Sequence, residues 1–220
     1  MKKVIIFGSE QFAQLANYYL TETTDEYEVV AFTVHKKYRN SDLIFDKPLL
    51  DFENIEDIYP PNEYFLFAPM SGNDLNKLRE KIYIEGKKKG YNFISYISKK
   101  ALIYSKKIGE NCFILENNVI QPFTEIGNNC VLWSGNHIGH HSVIKDSVFI
   151  TSGVIISGNC VIDKYSWFGV NSTIRNNLKI GEGSIISMSA CVLKDTEPYT
   201  IYVGVPAKEK GKSTDIANKL

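Results

Sequence analysis

Three of the four histidines in the chain lie within five residues of one another, in the stretch SGNHIGHHS. They are His137, His140 and His141. A neutral imidazole, with a reference pKa of about 6.5, can take a proton from an amine or a hydroxyl, and it can also bind a metal ion. The cluster therefore allows three interpretations: a general base with neighbouring partners, a zinc site, or exposed polar residues on a turn.

A repeat of six residues determines where this cluster lies. Cut into sixes from Ala101, the chain has a large apolar residue at the second position of sixteen hexads in succession. They are Leu102, Ile108, Ile114, Ile120, Ile126, Leu132, Ile138, Ile144, Ile150, Ile156, Ile162, Phe168, Ile174, Ile180, Ile186 and Val192. This period fits neither an α-helix nor an ordinary alternating strand. It predicts a parallel β-helix with three hexads per coil, inward second positions, and coils about 4.8 Å apart.

The hexad frame gives the histidines a predicted geometry. Because Ile138 is the inward residue of HIGHHS, we expect His137 and His140 to project outward and His141 to lie at the corner. Gly158 follows His140 by one coil, and its bare backbone can approach a ligand closely. An imidazole beside an open amide suits acyl transfer, because the ring accepts a proton while the N–H stabilises an oxyanion.

The zinc site and the exposed turn are the two other interpretations of the histidine cluster. A zinc site of β-helical type needs histidines on more than one coil, whereas these three share one hexad and the remaining one, His35, lies outside the repeat. We therefore expect no metal. Exposed corner histidines without a catalytic role are the remaining alternative.

The first hundred residues follow a βαβ pattern instead. We predict strands over residues 4–7, 28–34, 64–68 and 93–97. Apolar residues after the first strand recur at the spacing of one helical face, and a second helix is predicted from Asn73, its cap, to Gly90. This succession predicts a small Rossmann-like half-domain. We predict residues 1–100 for this domain, 101–207 for the β-helix and 208–220 for a polar tail.

Two loops of the first domain are candidates for ligand binding. The turn GSEQF begins at Gly8, where such folds bind phosphates at a helix N-terminus, although Glu10 adds a negative charge there. The second strand ends in VHKKY, which places His35 and Lys36 where they could contact a base or a phosphate. A structural turn and a solvated loop are the alternatives at these two places.

Composition excludes several classes of function. Lys plus Arg equals Asp plus Glu at 25 each, so nothing indicates nucleic acid or an anionic membrane as a partner. The start, MKKVIIFGSEQ, has too short an apolar run for a signal peptide or a membrane span, so we expect a cytoplasmic protein. The four cysteines form no CxxC pair, and we expect them to be free thiols.

The hexapeptide run, the histidine hexad and the ending YVGVPAK together resemble the left-handed β-helix acyltransferases. More closely, the whole chain is similar to bacterial nucleotide-sugar acetyltransferases that pair a small α/β domain with such a helix. These enzymes acetylate 4-amino sugars on the way to bacillosamine, N-acetylperosamine and related surface glycans, and sialic acid O-acetyltransferases are their cousins. The resemblance implies a homotrimer with acetyl-CoA in the groove between adjacent β-helices. It also implies a nucleotide sugar bound between the α/β domain and that groove.

The resemblance also implies roles for individual residues. The family's base is a His followed by an acidic residue, which matches His140 and leaves His141 where the acidic partner usually stands. The family's backbone donor to the acetyl carbonyl falls on Gly158. The remaining assignments are CoA binding by Gly204, Pro206, Ala207 and Lys208, and substrate binding by Gly8, Ser9, Gln11, His35, Lys36 and His137.

The resulting prediction is an acetyl-CoA-dependent N-acetyltransferase that acts on the amino group of a nucleotide-linked dideoxy sugar. The amine attacks the thioester directly, so no covalent enzyme intermediate is needed. O-acetylation of a sugar hydroxyl is one alternative. A non-catalytic trimeric scaffold or sugar-binding protein is the other.

Overall fold

A computed structural model describes residues 1–219, which form two compact units. The first unit comprises residues 1–71 and 81–95, and the second comprises residues 72–80 and the chain from residue 96 onward. The β-helical part of the second unit begins at Tyr96, because the strand Tyr96–Ile97 pairs with Phe113–Ile114 of the next coil. The β-helix therefore starts five residues earlier than the sequence predicts.

The first unit contains a six-stranded sheet. Its strands are β1 (Lys2–Phe7), β2 (Tyr27–Val34), β3 (Leu43–Ile44), β4 (Lys47–Asp51), β5 (Tyr64–Phe67) and β6 (Asn92–Phe93), and the helices are α1 (Gln11–Glu22) and α2 (Lys77–Lys88). Short 3-10 helices span Lys36–Tyr38 and Phe52–Asp57. The strand order is β3-β4-β2-β1-β5-β6, with every pair parallel except the β3–β4 hairpin. Parallel strands joined by helical crossovers confirm the predicted Rossmann-like α/β fold.

Two local predictions for the first hundred residues are wrong, and one element was not predicted. Helix α2 begins at Lys77 rather than after Asn73, because Asp74, Leu75 and Asn76 have left-handed φ angles of 51°, 52° and 66°. The predicted strand 93–97 is two strands, of which only Asn92–Phe93 pairs with β5. The β3–β4 hairpin was not predicted because its turn uses Phe45 and Asp46 rather than a typical Asn-Gly pair.

The second unit is a parallel β-helix of two-residue strands on three flat sheets. The first sheet holds β7 (Tyr96–Ile97), β10 (Phe113–Ile114), β13 (Val131–Leu132), β16 (Phe149–Ile150), β19 (Trp167–Phe168) and β22 (Ile185–Ile186). The second holds β8 (Leu102–Ile103), β11 (Val119–Ile120), β14 (His137–Ile138), β17 (Ile155–Ile156), β20 (Thr173–Ile174) and β23 (Cys191–Val192). The third holds β9 (Lys107–Ile108), β12 (Glu125–Ile126), β15 (Val143–Ile144), β18 (Val161–Ile162) and β21 (Lys179–Ile180).

The inward positions of the hexads form the core of this unit. Ile138, Ile156 and Phe168 are fully buried, and each contributes roughly 1.5 to 3 kcal/mol by removal of apolar surface from water. The prediction fails at Leu102, which is 56% exposed, while Ile103 packs against the core. The cause is a short first coil, because Leu102 pairs with Val119, 17 residues later, whereas Val131 pairs with Phe149, 18 residues later.

The end of the chain closes the helix with more structure than a polar tail. Strand β24 (Thr200–Val203) joins the first sheet, and β25 (Lys208–Lys212) pairs with it antiparallel. Two 3-10 helices follow at Ser213–Asp215 and Ala217–Lys219, and residue 220 lies outside the described residues. Among residues 1–219, no helix has the length and apolar character needed to cross a bilayer.

Segment 72–80 contains a buried cation, Arg79, that contacts the β-helix. The guanidinium of Arg79 donates to the carbonyl oxygen of Asn129 at 2.7 Å and to that of Asn111. The Asn76 amide donates to the same Asn129 oxygen at 3.1 Å. Burial of the Arg79 side chain lowers its pKa to about 10. These contacts bond segment 72–80 to two successive corners of the β-helix.

Candidate active site

The imidazole of His140 lies directly against the backbone of Gly158, one coil along the β-helix. A Cβ atom on Gly158 would be 2.7 Å from Cε1 and 2.8 Å from Nε2 of His140, closer than real contacts allow. The residue after Gly158 is also bonded to His140, since the N–H of Asn159 donates to the His140 carbonyl at 2.9 Å. The predicted proximity of ring and glycine is therefore present, and only a residue without a side chain permits it.

The backbone N–H of Gly158 has no acceptor, because the residue that could accept its hydrogen bond differs between two successive coils. One coil earlier, the N–H of His140 donates to Oε1 of Gln121 at 2.9 Å. The residue that corresponds to Gln121 on the next coil is Gly139, which has no side chain to offer an acceptor. Within residues 1–219, no group accepts a hydrogen bond from the Gly158 N–H. This amide is consequently free to donate to a ligand next to the His140 ring.

His141 forms a pair with His140. Their Nδ1 atoms are 3.0 Å apart, and their rings are nearly perpendicular, at 86°. His141 occupies the corner of the coil with a φ of 57°, and the Phe123 ring covers one face of its imidazole at a centroid distance of 4.6 Å. Both histidines are exposed, so a ligand can reach them.

His137 is separate from this pair. It is the first residue of β14, half-buried, with Val119 and Ile155 as its neighbours on adjacent coils. No cluster of three or more His, Cys, Asp or Glu side chains suited to a metal ion occurs in residues 1–219. Cys160 follows Gly158 by two residues, and burial raises the pKa of its thiol, which keeps the sulfur protonated and poorly nucleophilic.

The loop Gly204–Lys208 caps the end of the β-helix. The Cys191 N–H donates to the Gly204 carbonyl at 3.0 Å, and the Ala207 N–H donates back to the Cys191 carbonyl at 2.8 Å. Gly204 has a φ of 94°, which a side chain would strain. A cavity of about 540 Å³ adjoins this loop, and Pro206, Ala207 and Lys208 are among its lining residues. Lys208 is exposed and can meet an anion there.

The predicted phosphate turn of the first unit has the backbone shape of a tight strand-to-helix connection. Gly8 has a φ of 128°, and its N–H donates to the Thr33 carbonyl at 2.9 Å. Ser9 is half-buried, and Gln11 is the exposed first residue of α1. The side chain of Glu10, the residue before α1, makes no capping hydrogen bond to this helix.

The two charged candidates at the end of β2 differ in their surroundings. Both ring nitrogens of His35 contact carboxylates, Nδ1 to Glu53 at 3.3 Å and Nε2 to Glu85 at 3.2 Å. The Lys36 backbone N–H also donates to Glu53, at 2.9 Å, while the Lys36 side chain is exposed. Burial raises the pKa of Glu53, but the hydrogen bonds from Lys36 and His35 outweigh it and bring the pKa below 4.5.

Three residues that complete the site were missed by sequence reasoning. Gln121 accepts the His140 N–H, Gly139 leaves the Gly158 amide open, and Phe123 packs on His141. A signal for two of them was present, because Phe123 and Gly139 stand one coil from His141 and Gln121, respectively. Tracing each column of the hexads across neighbouring coils would have identified both.

Comparisons with known proteins bear on the fold. The family model described as bacterial transferase hexapeptide (six repeats) matches residues 105–140, a segment that ends at His140. A search of curated protein sequences found no match. The solved structures, in contrast, include many similar chains.

Three examples among these structures each cover almost the whole chain. The acetyltransferase domain of PglB from Neisseria gonorrhoeae is 17% identical, with a TM-score of 0.83 over 96% of this chain and 100% of its own. A mutant perosamine N-acetyltransferase from Caulobacter crescentus, in complex with CoA and GDP-perosamine, is 18% identical, with a TM-score of 0.83 over 96% and 98%. WeeI from Acinetobacter baumannii is 20% identical, with a TM-score of 0.78 over 96% and 100%.

At these identities the comparisons establish the fold. They confirm the predicted architecture, an α/β half-domain followed by a left-handed β-helix of hexapeptide repeats. The chain shares this architecture with the PglB acetyltransferase domain and with perosamine N-acetyltransferase over nearly its full length.

Proposed function

We propose that this chain is an acetyl-CoA-dependent N-acetyltransferase that acts on the amino group of a nucleotide-linked amino sugar. The observation that carries the proposal is the imidazole of His140 beside the unbonded amide of Gly158. A base and an oxyanion donor side by side are the two groups that acyl transfer to a nucleophile requires. The similar PglB domain has been solved with acetyl-CoA, and perosamine N-acetyltransferase with CoA and GDP-perosamine.

In the proposed reaction, the sugar amine attacks the thioester carbonyl of acetyl-CoA. Negative charge develops on the carbonyl oxygen, and the Gly158 N–H stabilises it by a hydrogen bond. Nε2 of His140 takes a proton from the attacking nitrogen, the C–S bond breaks, and CoA leaves as its thiol. Lys208 and the cavity beside Pro206 and Ala207 are the proposed contacts for CoA.

An amine is the better nucleophile for this site than a hydroxyl. In residues 1–219, no carboxylate is bonded to His140 or His141, so the partner of His140 is an imidazole. An imidazole stabilises a neighbouring imidazolium less than the negative charge of a carboxylate would. A hydroxyl needs a strong base as it attacks, whereas an amine attacks first and loses its proton afterwards. The His140–His141 pair therefore supports amide formation rather than ester formation.

In the α/β unit, the proposed contacts for the nucleotide sugar are Gly8, Ser9, Gln11 and Lys36, and His35 organises the end of β2. We further propose a homotrimer, which light scattering tests directly as a mass about three times the 25.0 kDa of one chain. Acetyl-CoA and nucleotide sugars are cytoplasmic metabolites, so we propose that the reaction takes place there and supplies surface-glycan synthesis.

The direct test is a CoA-release assay with UDP-, dTDP- and GDP-linked amino sugars. Release above the sugar-free rate with at least one of them, together with a product that gains one acetyl group and resists mild alkali, is the expected result. An alkali-labile product would instead establish an ester. The absence of release with every sugar, in a chain shown to be folded, would contradict an acetyltransferase of this class and favour a scaffold.

A further inference from the structure

The contact between His140 and His141 restricts where the two rings carry their protons. Two nitrogens at 3.0 Å form a hydrogen bond only when one holds a hydrogen and the other a lone pair. Because the contact joins Nδ1 to Nδ1, two neutral rings must adopt opposite tautomers. One ring has its proton on Nδ1 and the other on Nε2.

Both members of the pair are held in place by other groups. The backbone N–H of His140 donates to Gln121, and the imidazole of His140 lies on the glycine backbone of the next coil. The imidazole of His141 is covered by Phe123, whose ring is tilted by 33° and remains 72% exposed to solvent. The phenyl ring restricts the plane of the His141 imidazole, and the contact with Nδ1 of His140 sets which edge of it faces that residue. The pairing is thus built into the turn.

We infer that His141 is a proton-relay and positioning partner of His140, a role that rests on the acetyl transfer proposed above. When Nδ1 of His141 accepts, His140 carries its hydrogen on Nδ1 and presents a lone pair at Nε2, beside Gly158. This is the state that can take a proton from the amine. In the opposite state, Nε2 of His140 carries a hydrogen and is a proton donor.

The acetyl transfer interconverts the two states with protons conserved. The amine N–H bond breaks, and its proton binds Nε2 of His140. The hydrogen on Nδ1 of His140 moves across to Nδ1 of His141, and Nε2 of His141 releases a proton to water. Once the C–S bond breaks, Nε2 of His140 protonates the thiolate, the Nδ1 hydrogen returns, and Nε2 of His141 regains a proton from water. At the end of the cycle, both rings have returned to the tautomers in which they began.

A carboxylate in the position of His141 could not act in this way. It accepts the hydrogen bond from Nδ1 of His140 and orients the ring, but at neutral pH it does not pass the proton onward. His141→Glu therefore separates positioning from relay, because it keeps an acceptor. His141→Phe removes both.

The first test uses the full chain with 15N-labelled histidine and needs no substrate. Nitrogen shifts should show one ring protonated at Nδ1 and its partner at Nε2, with a coupling across the Nδ1–Nδ1 hydrogen bond that vanishes in His141→Phe while the signals of His35 and His137 stay in place. Two rings both protonated at Nε2, without that coupling, would overturn the inference. This readout decides the pairing even if no sugar is acetylated, in which case only the proposed function fails.

The second test is kinetic and uses the best sugar substrate. His141→Phe should lower kcat with the KM for acetyl-CoA unchanged. We expect a loss of about 10- to 100-fold, by analogy with the removal of the group that orients a metal-bound imidazole. His141→Glu should recover part of that loss. In mixtures of H2O and D2O, the wild-type rate should curve with the deuterium fraction because several protons move together, whereas the His141→Glu rate should vary linearly. A linear wild-type dependence, or equal rates for His141→Phe and the wild type, would overturn the relay.

Discussion

The His140 ring lies so close to Gly158, on the next coil of the β-helix, that a Cβ atom on Gly158 would be 2.7 Å from Cε1 of His140. The 18-residue register between coils brings the two together, because Gly158 follows His140 by one coil. A base on one coil thereby adjoins an amide on the next, although neither coil alone holds both groups. The following predictions depend on this arrangement and on the contacts around it.

Gly158→Ala should inactivate the chain without unfolding it. The added methyl group would displace the His140 imidazole, and loss of a general base costs about 10²- to 10⁴-fold in rate. We therefore expect kcat, measured by CoA release, to fall by about 10²- to 10⁴-fold. Gly211→Ala is the matched control, because a Cβ there meets nothing within 4 Å. A Gly158→Ala chain with the kcat of the control would show that the close contact is irrelevant to turnover.

Gln121→Ala should slow the reaction by a smaller factor. It removes the acceptor of the His140 N–H, a hydrogen bond of about 0.5 to 1.5 kcal/mol, so the expected loss in kcat is roughly 2- to 10-fold. Gln121→Glu keeps an acceptor oxygen at that position and should be less affected than Gln121→Ala. Steady-state kinetics of both variants checks this, and identical rates for the two would contradict a role for the bond.

Arg79→Met should destabilise the β-helix unit. The change removes the donors to the carbonyls of Asn111 and Asn129, and each buried hydrogen bond from a charged group is worth about 1.5 to 3 kcal/mol. We expect the free energy of unfolding, measured by denaturant titration, to fall by about 3 kcal/mol or more. Lys81→Met, at an exposed position of the same helix, should change it by less than about 0.5 kcal/mol. Equal effects of the two changes would argue against the buried contacts.

The Lys89–Glu56 ion pair should make the stability of the α/β unit sensitive to acid. Burial raises the pKa of Glu56, but the hydrogen bond from Lys89, at 2.7 Å, and the Lys89 charge outweigh it, and the net pKa lies below 4.5. A carboxyl with a lowered folded pKa stabilises the protein above its unfolded pKa, and this stability is lost as pH falls through the folded pKa. Thermal unfolding from about pH 7 to about pH 3 should show a smaller acid loss of Tm in Glu56→Gln than in the wild type. The same loss of Tm in both chains would remove Glu56 as a cause.

The sequence predicted the β-helix well because its signal is a long periodic one. Each coil repeats the same burial, so an error at Leu102 shifts a single strand and leaves the rest in register. The first hundred residues were harder to predict. The left-handed residues before α2 are held by a contact that is distant in sequence, from the Asp74 N–H to the Ala217 carbonyl at 2.9 Å, and the β3–β4 turn has Phe45 and Asp46 in place of a typical Asn-Gly pair.

The periodic hexad signal also allowed part of the candidate site to be predicted. The hexad frame placed His140 and Gly158 on adjacent coils, where the structure has them. It did not reveal that the two histidines share an Nδ1–Nδ1 contact, because side-chain torsions decide which nitrogens meet. Nor did it reveal that His35 would be held between two carboxylates, one of them supplied by α2.

The central claim is that His140 is the base of an acetyl transfer, and His140→Asn tests it most directly. Asparagine keeps a polar side chain at the turn but cannot take up a proton. The measurement is the turnover number for CoA release with the best nucleotide amino sugar, alongside the affinity for CoA. We predict that kcat falls by about 10²- to 10⁴-fold while CoA binding stays nearly intact. Unchanged turnover in His140→Asn would contradict the assignment.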